Sequence, residues 1–544
     1  MNYFKTYLFI LALVLLVPFY SNGQLFEAED ATLSNGATVA SSGEASGGKY
    51  VKLGEGNLEM TITLKNSGTY NIYMQVAAPY GEKTNIFEID GNSVEFKLAE
   101  NSNYIKKEIV SNLKLEAGEH TIKVIKSWGW IHIDYFDLET VDATERFDVS
   151  DSLVTPGATS QAQKLYQFLL NNYGKKIISG VMTLNSMDEV DWLETKTGKK
   201  PALVGLDFMH LGRDYEWYNE NEPIIDARNY YNQNGIPAIA WHWRDPSRET
   251  ESFYSDETDF DITKINNPES EEYKAMIDDI DYISGFLKQL QEDSVAVLWR
   301  PLHEAAGGWF WWGANGPQAC KKLYHTMFNR LVHHHNIRNL IWVWTRQPND
   351  DEWYPGHEYV DIIGRDIYAD GNHSSQIIEF NAINSLYEGK KIVALSECGS
   401  FPDPDKLVED GAAWSFFMPW YGDFVRDSYY NSVELWQKTM DHEYVITLDE
   451  MPDLRSYGDT VDDDTSTDII DMANLNVYPN IVSGSLNISS DSSIGEIRIF
   501  NSMGKLIETK KTHSNYLQIN MADYFKGIYL IKPENNRLFK VIKQ

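Results

Sequence analysis

VAVLWRPLHE, residues 295–304, is a short apolar run that ends in a carboxylate. Its branched and aromatic residues suit a strand buried on both faces, with Arg300, His303 and Glu304 gathered toward its end. Seven further runs of this kind lie on either side: KKIISGVM (175–182), PALVGLDFM (201–209), IPAIAWHW (236–243), NLIWVWT (339–345), VDIIGRDIY (360–368), KIVALSECG (391–399) and WSFFMPWYG (414–422). Longer helical stretches separate them, which is the pattern of repeated βα units. Eight parallel strands close a barrel, so residues 150–452 are expected to form a (β/α)8 TIM barrel. Side chains at the C-terminal strand ends line the mouth of such a barrel. Two of them are glutamates, Glu304 ending the fourth strand and Glu397 in the seventh, facing each other across the mouth.

The flanking sequence has a different texture. Residues 24–141 alternate short apolar strands with turns, as in NLEMTITL, TYNIYMQVA, HTIKVIKS and WIHIDYFDL, which reads as an all-β jelly roll or sandwich. Residues 453–474 are rich in Asp, Ser and Thr and suit an acidic linker. Strand character returns in EIRIFNSMGK, YLQIN and GIYLIK, so 475–544 is expected to be a small β-sandwich tail domain. At the other end, Lys5 precedes an apolar run from Leu8 to Val17, with Ser21 and Gly23 beyond it. Residues 1–23 therefore read as a signal peptide, and no later segment has the length of a transmembrane helix.

Composition narrows the function. The 544-residue chain carries a formal charge of −33, which repels phosphate backbones and excludes nucleic acid as a partner. Its aromatic content of 13%, with 16 Trp and 32 Tyr, exceeds what core packing alone requires and suits stacking on flat sugar faces. Cys320 and Cys398 are the only cysteines, so a disulfide scaffold is excluded and two buried, unpaired thiols are expected. The three histidines at 333–335 project in different directions on a helix and cannot share one metal, so they are read as a helix end.

All three parts resemble known families. Through AWHWRDPS (240–247), WRPLHEAAGGWFWWG (299–313), NLIWVWTRQP (339–348), GRDIYAD (364–370) and ALSECGSFP (394–402), the barrel resembles glycoside hydrolase family 26 over its whole length. The resemblance implies a secreted, retaining endo-β-1,4-mannanase acting on mannan, glucomannan or galactomannan, with Glu304 as acid/base and Glu397 as nucleophile. It further implies that Tyr368 donates to Glu397, that His242 and His303 donate to sugar hydroxyls, and that Trp309 and Trp420 flank the cleaved sugar. Trp312 and Trp344 are weaker members of that aromatic set, some of which will pack instead. Arg300 either adds positive potential below the site or is structural. Catalysis of this kind needs no cofactor.

FEAED (26–30) and KSWGWIHIDYFDLE (126–139) are similar to a carbohydrate-binding module of family 35 or the related family 6. That likeness implies a structural calcium on Glu27 and Glu29, read as alternating along one strand, with Asp134 or its competitor Asp137 as third ligand. It also implies sugar stacking by Trp128 and Trp130, with inward packing of one of the two as the competing reading. VYPN (477–480), RIFNSMGK (498–505), KGIYLIK (526–532) and the terminal KVIKQ are similar to the sorting domain of Bacteroidetes type IX secretion. The expected partners are then β-mannan and that secretion machinery, and the expected location is outside the cell or on its surface. Competing readings are a β-glucanase or β-1,3-xylanase of the same family, or a non-catalytic glycan-binding surface protein.

Overall fold

Strict alternation builds the first domain. In Asn57–Leu64 the side chains of Leu58, Met60, Ile62 and Leu64 are buried while their neighbours face outward, the two-residue period of a half-buried strand. A computed structural model describes residues 23–142, 147–184, 186–211, 222–348, 350–458 and most of 475–543. In it, Asn57–Leu64 lies in a five-stranded antiparallel sheet with Thr32–Ser34, Gly118–Lys126, Lys83–Ile89 and Asn92–Leu98. A six-stranded sheet packs against it, centred on His132–Thr140 and Gly68–Ala78. The expected all-β sandwich is therefore present. The expected signal peptide lies outside the described residues, apart from Gly23.

Continuous burial builds the barrel. Its strands are β1 (Ile177–Met182), β2 (Leu203–Asp207), β3 (Ile236–Trp241), β4 (Val297–Pro301), β5 (Leu340–Arg346), β6 (Ile362–Ile367), β7 (Ile392–Cys398) and β8 (Phe416–Pro419). Each pairs in parallel with the next, and β1 pairs with both β2 and β8, so the sheet closes. Every residue of β1 and β7 is buried, because helices cover the outside and side chains fill the inside. Glu271–Glu292 is the longest covering helix. The Ser270 side chain caps it by accepting from the Tyr273 N–H at 3.1 Å, and Met276, Ile280, Ile283, Leu287 and Leu290 form its buried stripe. Each of these side chains contributes roughly 1.5–3 kcal/mol by leaving water.

Helix Ile377–Leu386, sequence IIEFNAINSL, is apolar on more than one face. It lies between the barrel and the sandwich, and a helix covered from two sides needs two apolar faces. Asn112, in the left-handed region at φ 53°, completes the seat: its side-chain amide donates to Ser385 Oγ at 2.6 Å, and its carbonyl accepts from Asn381 at 3.0 Å.

The chain stays on the barrel further than its composition predicts. Leu454 is fully buried, Arg455 donates to Asn232 Oδ1 at 2.6 Å, and the Tyr457 hydroxyl accepts from Asn171 at 3.0 Å. The expected linker at 453–474 therefore begins with residues that belong to the barrel's packing, and 459–474 lie outside the described residues. The tail is a separate compact unit from Thr460. It holds a three-stranded and a five-stranded sheet with Leu486, Ile488, Ile497, Ile499 and Ile531 in its core, the small β-sandwich expected.

Candidate active site

The mouth of the barrel is built from strand ends whose backbone is locally forced. Leu302 and Glu304, just beyond β4, both adopt left-handed backbone at φ 51° and 53°. Non-glycine residues hold that conformation at a cost of order 1–3 kcal/mol, and such strain concentrates at functional sites. Its effect here is to turn the chain sharply, leaving Glu304 partly exposed while Leu302 and His303 stay buried. Glu397 is 3% exposed within β7. One oxygen each from Glu304, Asp366 and Glu397 lies within 4.8 Å of the other two.

Arg300 supplies the counter-charge to this cluster. Its guanidinium contacts Glu397 Oε1 directly and donates to Asp366 Oδ2 at 3.1 Å and Thr345 Oγ1 at 3.2 Å. Ser396 Oγ donates to Asp366 Oδ1 at 2.6 Å. The Tyr368 hydroxyl donates to the other oxygen of Glu397, Oε2, at 2.8 Å. Burial works against the charge of Arg300, but the carboxylates of Glu397 and Asp366 outweigh it and hold the guanidinium firmly protonated.

Burial is also the largest influence on both glutamates and raises each. For Glu304 the charge of Asp366 adds to it, and the carboxyl is pushed up to about 7. Glu397 is raised by burial, with Arg300 opposing and the charges of Asp366 and Glu304 adding. The two carboxyls titrate as a pair, so the donors around each decide where their shared proton sits. Glu397 receives a cationic donor on one oxygen and a hydroxyl on the other, both of which favour its anion. Glu304 receives the neutral Trp309 N–H at 3.2 Å. The proton belongs on Glu304.

A second relay flanks the first. Asp207, at the end of β2, bonds His242 Nδ1 and accepts the His242 backbone N–H at 3.0 Å. Burial raises the Asp207 carboxyl, but His242 outweighs it and the net shift is downward. His303 Nε2 lies 3.1 Å from His242 Nε2, and burial, then His242 and Arg300, hold His303 neutral. Asp207 and Asp366 were not singled out in the sequence. The signal that could have found them is a carboxylate at a barrel strand end, in VGLD and GRD.

The aromatic set divides. Trp309 is 42% exposed beside Glu304, and the Trp420 ring stands 5.8 Å from His242, so both border the mouth. Trp312 and Trp344 do not. Trp312 is fully buried with its N–H on the His303 carbonyl at 2.9 Å, and Trp344 is 1% exposed against Tyr324. His303 is 1% exposed behind His242, so it positions that ring and offers a sugar no face of its own. Histidines 333–335 do end a helix, and Cys320 and Cys398 are buried free thiols.

In the sandwich, Glu27 ends a strand but Glu29 falls in the 3-10 turn Ala28–Asp30, correcting the expectation that the two alternate along one strand. Asp134 is buried beside them. Its Oδ1 accepts the Ser46 N–H at 2.9 Å, and the Ser46 hydroxyl donates to Glu27 Oε1 at 2.6 Å. Burial raises the Asp134 carboxyl, opposed by that N–H and reinforced by Glu27 and Glu29. Oε2 of both glutamates is buried without a hydrogen-bond partner, so the donor set fits an oxygen-seeking cation such as calcium. Asp137 is instead paired with Lys106 at 2.7 Å on the outer face.

The loop Lys126–Trp130 is stapled from below by buried Asn85, whose Oδ1 accepts the N–H groups of Ser127 and Gly129 at 3.1 and 2.8 Å. Gly129 is required, since its φ is +61° and a side chain there would strike the Gly54 carbonyl. Both tryptophans point outward, Trp128 at 68% and Trp130 at 47% exposed, so neither turns inward. Trp130 donates to Glu55 at 2.8 Å and meets Tyr80 edge to face at 6.1 Å.

Two carboxylates this close at the mouth of a (β/α)8 barrel, one ringed by donors and one able to hold a proton at neutral pH, define a glycoside hydrolase. The chain belongs to glycosyl hydrolase family 26, whose model matches residues 154–450. Residues 24–141 match a carbohydrate binding module of family 35, and 476–544 match a secretion system C-terminal sorting domain. That sorting domain marks the chain for export to the outside or the cell surface. A mannan endo-1,4-β-mannosidase of Thermothelomyces thermophilus is 35% identical over 441 residues, 78% of this chain and 90% of the relative. Among solved structures, the Podospora anserina GH26-CBM35 β-(1,4)-mannanase is 34% identical, covers 80% of this chain and 100% of its own, and has a TM-score of 0.55. A β-mannanase from a symbiotic protist of the termite Reticulitermes speratus, complexed with gluco-manno-oligosaccharide, is 47% identical over 56% of this chain and 99% of its own, with a TM-score of 0.54.

Proposed function

We propose that this chain is an endo-β-1,4-mannanase that cleaves mannan, glucomannan or galactomannan with retention, Glu304 serving as acid/base and Glu397 as nucleophile. The observation that carries the reading is that one carboxylate oxygen of Glu304 lies within 4.8 Å of one of Glu397. Inverting hydrolysis needs the carboxyl groups roughly 6.5–9.5 Å apart to admit a water between, whereas direct attack needs about 5–5.5 Å. Glu304 gives its proton to the glycosidic oxygen while a Glu397 oxygen bonds the anomeric carbon and the leaving chain departs. Glu304, now ionised, takes a proton from water as that water attacks the anomeric carbon and releases Glu397. Arg300 and Tyr368 hold Glu397 as an anion before attack and as a leaving group afterwards. His242, fixed by Asp207 and His303, presents its ring to the sugar beside Trp420.

The names of the relatives favour mannan over the other readings, a β-glucanase or β-1,3-xylanase of the family. Glu304 and Glu397 together count against a purely binding protein, which needs neither. In the N-terminal domain, Trp128 and Trp130 are the sugar-stacking residues, and Glu27, Glu29 and Asp134 hold a structural calcium. The N-terminal signal peptide and the tail act together in export. Reducing-sugar release on mannan, galactomannan, mixed-linkage glucan and β-1,3-xylan tests the substrate reading. Release from the two mannans with none from the others is the expected result, and a preference for glucan or xylan would replace it.

A further inference from the structure

A row of aromatic rings leads away from the nucleophile, and its members beyond Tyr368 have no part in the catalytic account. The Tyr368 ring, whose hydroxyl holds Glu397, stands 5.3 Å from Phe424. Phe424 stands 4.6 Å from Tyr430, and Tyr430 stands 5.0 Å from Tyr429. The rings belong to the loops that follow β6 and β8. Tyr429, at the far end, is 63% exposed.

Tyr368 and Tyr429, at the two ends of the row, are exposed, and Phe424 and Tyr430 between them are half-buried. Gly399 lies under the row, its α-carbon facing both Phe424 and Tyr368, where an added Cβ would touch each ring at 3.4 Å. Asn431, 1% exposed, pins the loop by donating to the carbonyls of Phe424 and Gly399 at 2.6 and 2.7 Å and accepting the Phe401 N–H at 3.0 Å. Asp427 Oδ1 accepts the Tyr429 N–H at 2.8 Å. A loop fastened at this many points holds its outer ring in water at a standing hydrophobic cost, which a ligand would relieve. Asp370, Asp423 and Asp427 are exposed on the same loops, and after burial their charges, with that of Tyr429, raise the Tyr430 hydroxyl. Ring faces interleaved with carboxylate acceptors match the two aspects of a pyranose, its flat C–H face and its equatorial hydroxyls.

We infer that Tyr429, with Tyr430 beside it, is a distal sugar-binding platform on the nucleophile's flank of the cleft, seating substrate units several residues from the cleaved bond. This rests on the mannanase reading and adds to it a basis for preferring long chains. The row is continuous with Tyr368, so a chain seated at Glu397 meets Phe424, Tyr430 and Tyr429 in turn as it leaves the mouth. On the opposite flank Trp309 stands beside Glu304, so the two sides of the cleavage point carry separate aromatic supports.

The test compares the wild type, Tyr429→Ala and Tyr429→Phe on mannohexaose and on an aryl β-mannobioside too short to reach Tyr429. Tyr429→Ala is expected to lose about five- to tenfold in kcat/KM on mannohexaose, chiefly through KM, and to shift the distribution of products. Its rate on the aryl bioside should stay at the wild-type value, and Tyr429→Phe, which keeps the ring, should restore the hexaose rate. Equal loss on both substrates, or no change on either, overturns the platform. A wild type that cleaves the bioside while Tyr429→Ala matches it on hexaose would leave the mannanase reading standing and remove this one. A wild type inactive on both would sink the mannanase reading itself, and the platform with it.

Discussion

Arg300 and Glu397 meet in direct contact at the floor of the barrel mouth, and the same guanidinium reaches Asp366 at 3.1 Å. One residue of β4 thereby holds the proposed nucleophile from below while Tyr368 holds it from the side. All three charged groups are nearly excluded from water, and removing Arg300 would leave both carboxylates buried without their cationic partner.

Arg300→Ala is accordingly expected to destabilise the barrel by about 3–5 kcal/mol and to abolish measurable turnover. Thermal unfolding and activity at 25 °C check both. Tyr368→Phe removes one hydrogen bond to a charged group and keeps the ring, so kcat should fall by roughly ten- to a hundredfold with little change in Tm. A fully active Tyr368→Phe would mean the hydroxyl does not support Glu397.

Glu304 contributes to the pH dependence of stability as one of a pair of raised carboxyls with Glu397. Its folded carboxyl is raised to about 7 from an ordinary value of 4.5, chiefly by burial and then by Asp366. A raised carboxyl makes the folded state bind more protons than the unfolded one between those values, so its contribution to stability falls as pH rises through that window. Glu304→Gln removes this carboxyl's part of the effect and leaves that of Glu397. The variant should melt higher than wild type at pH 7.5, and the difference should shrink toward pH 4. The same group sets the alkaline side of the rate profile: kcat/KM is expected to decline above about pH 7 as the acid loses its proton. An equal Tm difference at both pH values would contradict this account of Glu304.

Much of this site was legible in the sequence. All eight strands could be read because parallel barrel strands are apolar on both faces, and the closed topology then fixes Glu304 and Glu397 at facing ends. What escaped is side-chain direction within an aromatic run. Trp309 and Trp312 sit three residues apart in GGWFWWG, yet one borders the cleft and the other is sealed beneath His303, because the turn at Gly307 and Gly308 decides which ring faces out. Asp366 and Asp207 were passed over because a lone carboxylate at a strand end carries no mark of the arginine or histidine that pairs with it across the barrel. Glu29 was misplaced because FEAED begins as a strand and tightens into a 3-10 turn after Glu27.

The calcium proposal predicts that a chelator lowers the unfolding temperature of the N-terminal domain, since a ligand bound only by the folded state stabilises it by mass action. Glu29→Ala should lower that temperature in calcium and remove the response to chelator. An unchanged transition in chelator would leave the orphaned oxygens of Glu27 and Glu29 without this explanation.

Trp128 and Trp130 make a separate prediction about insoluble substrate. Replacing both with Ala should weaken retention on insoluble mannan and slow its degradation, while soluble oligosaccharides are cleaved at the wild-type rate, because an attached binding site acts by raising local concentration. Equal loss on both substrates would mean that the loop supports the catalytic domain.

Chain length offers a further check. With Leu454 buried and Tyr457 bonded to Asn171, a chain ending at Gly458 keeps every described contact of the barrel and should fold and hydrolyse substrate. One ending at Pro452 loses Leu454 and should melt lower. If the two are equally stable, the packing of 453–458 contributes nothing.

The most direct test of the central claim is the product that Glu304→Ala forms with azide. An aryl mannoside needs little protonation of its leaving group, so Glu397 should still form the glycosyl-enzyme, which then hydrolyses slowly for want of a base. Azide needs no base and should restore turnover, giving a β-mannosyl azide identified by NMR. An α-configured azide from Glu304→Ala, or rescue in Glu397→Ala with none in Glu304→Ala, would show that the roles are exchanged or that the reaction does not proceed through a glycosyl-enzyme on Glu397.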